Sequence, residues 1–143
     1  MAQTKTIDQF GPGDPIAPHE IHVSEDMNHQ YLDAVQDPGP HYREGSAGGG
    51  PWVHPSLLLN QSNPTRSGSH VLPPGMANVH AKEKATFFRP GRVGTTFRIL
   101  WKVLERYTKR DRPYTVFECL VLDDQAEVVL CRRMTSTWVQ GQG

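Results

Sequence analysis

At 143 residues, with 15 basic residues against 15 acidic ones, the chain is the size of one domain and carries no net charge. That balance does not call for nucleic acid or an anionic membrane as partner, and no apolar run approaches the roughly 20 residues of a membrane helix. Met1–Gln9 has neither a basic start nor an apolar stretch, so the chain reads as soluble, unexported and cytoplasmic. Its two cysteines, Cys119 and Cys131, are too few for a disulfide framework and lack CxxC spacing. They stand symmetrically about Gln125, so a hairpin turning there would lay them side by side, although a reducing compartment disfavours a bond.

Residues 1–19 contain Gly11-Pro12-Gly13-Asp14-Pro15 and no apolar period, which predicts an irregular lead-in draped over one domain formed by residues 20–143. A helix then follows Ser24 as N-cap. Glu25 and Asp26 suit the positive end of its dipole, and Met27, Tyr31, Ala34 and Val35 recur on one face. It should stop near Gln36, because Pro38 biases Asp37 away from helix. The stretch 37–51, with Pro38-Gly39-Pro40 and Gly48-Gly49-Gly50, is expected to be a loop without regular structure.

Pro55 fits the first turn of a short buried helix over 53–61, whose three leucines would face a core. A second loop runs over 62–75. From about His80 the pattern is β. Strands are predicted over 82–88, 95–107, 114–122 and 127–139, with Phe97, Ile99, Trp101 and Val103 on one face of the second. A last turn centred on Gln125 would set Val116, Leu120 and Leu122 opposite Met134, Leu130 and Val128, and Glu118 opposite Arg132. The class is α+β, with helices on one face of an antiparallel meander.

No phosphate loop, nucleophile elbow, HExxH or dinucleotide fingerprint is present. Seven histidines raise the question of a metal, but His19 and His22 have no convincing third ligand, and no metal or other cofactor is expected. The informative segment runs from Tyr31 to Tyr42. There a helix delivers Asp37 into a loop stiffened by Pro38 and Pro40, and an imidazole and a phenol, His41 and Tyr42, follow within five residues. Such groups can act as base and acid in adding water to an enoyl thioester. Asp37 as an ordinary turn residue and His41 as a surface one is the competing explanation.

Val23-Ser24-Glu25-Asp26 through Tyr31, followed by Asp37-Pro38-Gly39-Pro40-His41-Tyr42, resembles the start of a MaoC-like domain, where a helix leads into Gly-Asp-x-Asn-Pro-(aliphatic)-His. Val53-His54-Pro55-Ser56-Leu57-Leu58-Leu59 is similar to the beginning of that family's central helix. Val79-His80-Ala81 and Phe87–Gly94 are similar to its strand and turn. The resemblance covers about 20–139 and implies a hot-dog fold, a sheet wrapped around a long central helix. It also implies a hydratase or dehydratase of fatty acid metabolism acting on acyl-coenzyme A or acyl-carrier thioesters.

The departures are Gln36 for the glycine, Gly39 for the asparagine, and Tyr42 in the histidine's place with His41 one position early. In an extended loop adjacent side chains point apart, so the two alignments disagree on which of these faces the cleft. This is similar to N-terminal half-domains that pair with a competent partner. The resemblance further implies an oxyanion site at the amides of Ser56 and Leu57. His54 is either substrate-binding or packed under the loop, His80 is more readily an interior histidine than a catalytic one, and Arg89, Arg92, Arg98 and Lys102 are candidates for coenzyme A phosphates. The expected partners are the thioester and a second hot-dog domain, in a homodimer or a heteromer. A half-active subunit and a thioesterase are the alternative functions.

Overall fold

The computed structural model describes residues 5–44 and 50–141. The Gly48-Gly49 part of the predicted loop and the first residues of the lead-in lie outside them. After a 3-10 turn at Ile7–Gln9 come β1 (Pro15–His22), α1 (Glu25–Ala34), α2 (Pro40–Arg43) and α3 (Pro55–Gln61). A further 3-10 turn at Pro64–Arg66 precedes β2 (Met76–Phe87), β3 (Thr96–Lys109), β4 (Arg112–Leu122) and β5 (Val128–Gln140). The strands form one antiparallel sheet in the order β1-β3-β4-β5-β2.

Strand alternation decides where the core sits. Phe97, Ile99, Trp101 and Val103 of β3, Phe117, Cys119 and Val121 of β4, and Leu130, Met134 and Trp138 of β5 are buried in one cluster with Leu57 and Leu58 of α3. Burying each of those leucines contributes about 1.5–3 kcal/mol. The central helix is short, at 7 residues, because His54-Pro55 starts it and Ser62 ends it. Arg132 crosses the sheet to its C-terminal end, donating to the Leu59 carbonyl at 2.7 Å, Ser62 Oγ at 2.8 Å and Asn63 Oδ1 at 3.1 Å, and pairing with Glu83. Trp101 Nε1 donates to the Ser62 carbonyl at 2.9 Å. Carbonyls left open by the helix end thus meet a cation and an indole N–H.

Four expectations are corrected. Residues 15–19 of the predicted lead-in belong to β1, which pairs with β3 from Pro15↔Lys102 to His22↔Thr96 and buries Ile16 and Ile21. An edge strand tolerates Pro15 and Pro18, the latter inside a register shift, because a missing N–H there breaks no ladder. The loop 37–51 holds one helical turn, α2, started by Pro40 at its first position. The buried residues of α1 are Asn28 and Leu32, and Met27 and Tyr31 of the predicted face pack against the core. Ala34 is exposed and Val35 is 46% exposed, so the core-facing stripe is rotated from the one predicted.

The fourth correction concerns the last hairpin. Leu122 does pair with Val128, but the register then shifts and Val121 pairs with Leu130, leaving Val129 as an extra residue. Glu118 therefore faces Arg133 and Cys119 faces Arg132. Leu120 opposes Cys131, while Val116 and Phe117 oppose Thr135 and Met134. A shift of one residue turns a side chain to the other face, so Cys119 and Cys131 are both free and lie on opposite faces of the sheet.

Candidate functional site

Helix α1 ends in a Schellman motif. The Asp37 N–H donates to the Leu32 carbonyl at 2.9 Å and the Gln36 N–H to the Asp33 carbonyl at 3.2 Å, with Gln36 at φ 57°. This left-handed position is where glycine is favoured, and it is the position at which Gln36 replaces the motif's glycine. The chain leaves the helix with Asp37 in a fixed direction. Asp37 Oδ1 accepts from the Gly39 N–H at 2.8 Å, and Arg43 holds the Asp37 carbonyl through Nε at 3.1 Å and Nη2 at 2.9 Å. A Cβ at Gly39 would stand 2.9 Å from Asp37 Oδ1 and 3.2 Å from Tyr42 Cδ2, so a larger residue there would displace one of these two side chains.

The partner of Asp37 is His54. Nε2 lies 3.1 Å from Asp37 Oδ2, while Nδ1 accepts from the Ser56 N–H at 3.1 Å. Because an amide can only donate, Nδ1 is the acceptor, and the neutral ring carries its proton on Nε2, directed at the carboxylate. His54 is thus also the N-cap of α3, in place of the usual hydroxyl or carboxylate. Its ring packs between Tyr31 and Tyr42, with centroids at 5.3 Å and 5.0 Å. The His54 and Asp37 side chains are 17% and 29% exposed, so the pair is sheltered but reachable.

His41 and Tyr42 sit on the single turn of α2, so the extended-chain argument about opposite sides does not apply. Helical residues one apart diverge by about 100°. Tyr42 turns in against His54, and His41 is exposed and stacks on Trp52 with centroids 5.8 Å apart. Among the described residues, neither side chain is hydrogen-bonded to Asp37.

The two amides expected to form an oxyanion site both have partners. Ser56 N–H is held by His54 Nδ1, and Leu57 N–H donates to the His54 carbonyl at 3.0 Å. His80 is not an interior residue. It is exposed on β2, with Nε2 3.9 Å from Glu83, and lines a separate cavity of about 220 Å³ with His70 and Asn78. Arg89 pairs with Glu127, Arg92 donates to the Gly50 carbonyl at 3.1 Å, and Lys102 lies 3.6 Å from Glu118. Arg89 and Lys102 thus already face carboxylates, while Arg92 is engaged only with a neutral carbonyl.

On the far side of Tyr42, whose ring packs on His54, lies an open cleft of about 340 Å³ walled also by Trp52, Leu58, Phe87 and Phe88, with neither Asp37 nor His54 in its lining. It suits an apolar group. The turn that closes it comes very near the core. A Cβ at Gly91 would meet Phe97 Cζ at 2.7 Å, and the Gly91 carbonyl accepts from the Val53 N–H at 2.7 Å.

Sequence reasoning did not single out Asn28, which is fully buried. Its Nδ2 donates to the Tyr42 carbonyl at 2.9 Å and the Trp52 carbonyl at 3.1 Å, and its Oδ1 accepts from the His54 N–H at 3.1 Å. The available signal was an amide at a core-facing helix position, four residues before Leu32. No group of three His, Cys, Asp or Glu side chains able to hold a metal occurs among the described residues. No helix there is long and apolar enough to cross a membrane.

This architecture, a five-stranded antiparallel sheet curled over a short central helix, is the hot-dog fold. Solved structures similar to it include a MaoC-like dehydratase from Rhodospirillum rubrum, at 17% identity and a TM-score of 0.74 over 97% of this chain and 99% of that one. The R-hydratase PhaJ1 from Pseudomonas aeruginosa is similar at 14% identity and a TM-score of 0.69, over 95% of this chain and 85% of that one. The ChsH1-ChsH2 complex from Mycobacterium tuberculosis is similar at 13% identity and a TM-score of 0.69, over 90% and 86%. No family model and no curated protein matches the sequence.

Proposed function

We propose that the chain adds water to 2,3-enoyl thioesters, or removes it from 3-hydroxyacyl thioesters, carried on coenzyme A or an acyl-carrier protein. The observation that carries this reading is the 3.1 Å contact of Asp37 with His54, whose ring packs on Tyr42, a wall of the apolar cleft. Hydration moves one proton from water to the α-carbon as the water oxygen bonds to the β-carbon. In its present tautomer His54 would become an imidazolate if it gave up its Nε2 proton, so the proton accounting assigns both transfers to Asp37. The carboxylate takes the proton from water and returns it to the α-carbon, ending as it began. His54 orients carboxylate and water, and the acyl chain lies along Tyr42, Trp52 and Leu58.

Asp37→Asn keeps an oxygen for the Gly39 amide and removes the base. It should lower kcat on crotonyl-coenzyme A by about 10²–10⁴-fold while the melting temperature holds to within a few degrees. Activity surviving that change removes Asp37 from the mechanism. Release of free thiol in place of loss of the enoyl group would mark the chain as a thioesterase instead.

A second reading has its own support: the engaged amides of Ser56 and Leu57 leave this chain without the expected donors for a thioester oxyanion. The outer edge of β2, 12 residues long, pairs with no strand among the described residues and is suited to a second hot-dog chain, whether a copy or a different one. In this reading the protein is a subunit whose partner completes the site, so it would be inert alone and active when co-purified with that partner. Sedimentation as a stable monomer at micromolar concentration, with full activity, would exclude it. A cytoplasmic location belongs to the same proposal, in keeping with two free thiols, and recovery from an exported fraction would overturn it.

A further inference from the structure

We propose that Asn28 is the positioning residue of the Asp37–His54 pair, an inference that rests on that pair being the working site. The two members reach each other across 17 residues of sequence, one at the end of α1 and the other at the start of α3. Among the described residues, every hydrogen bond between α1 and residues 52–54 is made by Asn28, to the Trp52 carbonyl and the His54 N–H. Its remaining bond, to the Tyr42 carbonyl, fixes the residue whose ring lies against the imidazole. One buried side chain on the helix that leads into Asp37 thus sets the backbone that carries His54 and the wall beside it.

The chemistry demands this residue type. Two carbonyls and one N–H converge on a fully buried point, and they require two donors and one acceptor on a single uncharged group, which a primary amide supplies. A carboxylate cannot donate, a leucine of similar shape can do neither, and glutamine has the right groups one methylene too far out. An error of about 1 Å at such a pair can cost about 10²-fold in rate.

The test uses the full chain as wild type, Asn28→Ala and Val103→Ala, the last as a destabilised control in the core of β3. Melting temperature, kcat and KM on crotonyl-coenzyme A, and the imidazole nitrogen resonances of His54 in histidine-labelled protein are measured for each. Asn28→Ala should lower kcat by about 10²-fold, change KM by less than about threefold, and replace the fixed Nε2–H tautomer with an averaged one. Val103→Ala, with a comparable loss of melting temperature, should keep both wild-type kcat and the wild-type His54 signals. Wild-type kcat and tautomer in Asn28→Ala, or the same losses in Val103→Ala, overturns the proposal. If Asn28→Ala does not fold, Asn28→Asp, which keeps the acceptor and loses both donors, is judged by the same readings. If the wild type proves inert on thioesters the proposed reaction falls, yet the resonances still decide whether Asn28 holds the imidazole.

Discussion

Gln36 occupies a backbone position that side chains resist, at φ 57°, so that Asp37 can leave α1 in a fixed direction. Gln36→Gly should raise stability by about 1 kcal/mol, read as a higher denaturation midpoint, because the left-handed strain exceeds the entropy glycine adds to the unfolded chain. Gly39→Ala should act oppositely on function. Its methyl meets Asp37 Oδ1 and the Tyr42 ring, and turnover should fall more than stability does. Burial lowers the pKa of His70 from its ordinary 6.5, while a backbone hydrogen bond pulls the other way. Protonating it therefore costs folding free energy, so this contribution to stability is complete above pH 6.5 and is lost as the pH falls through the depressed folded value. Replacing His70 with glutamine should flatten that acid limb in melting curves taken against pH. Asp37 was legible from sequence because a carboxylate between a helix and a proline is a local pattern. His54 was legible as a residue of interest but not as the partner, since their meeting depends on how a Schellman turn and a proline-started helix face each other in space.

Among the elements, the long strands declared themselves through alternation, and β3, β4 and β5 lie within a few residues of their expected bounds. What alternation does not encode is an extra residue. Val129 enters the ladder after the turn, where Ala126 has φ 60° and Asp123 Oδ1 accepts from Gln125 and Glu127, and every pairing beyond it moves by one. The shift sends Arg132 inward to the end of α3. Arg132→Leu should cost about 3 kcal/mol in chemical denaturation, because it strips a partner from the Leu59 carbonyl, Ser62, Asn63 and Glu83 together. Burial pushes the Cys119 thiol up to about 12, against the opposing pull of Arg132 and of the Ser62 side-chain hydroxyl. At pH 8 in the native protein Cys119 should resist alkylation, and mass spectrometry after air oxidation should find no bond between it and Cys131.

At the scale of the molecule, the class and the single sheet were readable because hydrophobic patterning reports which faces are covered. The strand β1 was not, since two prolines hide a strand wherever an edge position makes them harmless. Both edges of the sheet are thus unlike its middle. One is guarded by proline and the other, β2, is long and open, with Phe87 and Phe88 exposed at its end. Charged substitutions on the open edge, such as Val79→Lys, should leave the fold intact and shift any dimer towards monomer in sedimentation.

The central helix has its first amides bound to His54 and its last carbonyls bound to Arg132 and Trp101. A two-turn segment engaged at both ends acts as a spacer and offers little field of its own. If the proposed reaction holds, negative charge growing on a bound carbonyl is met from outside that segment, and under the proposed subunit reading the electrophile comes from the chain proposed to pair with β2.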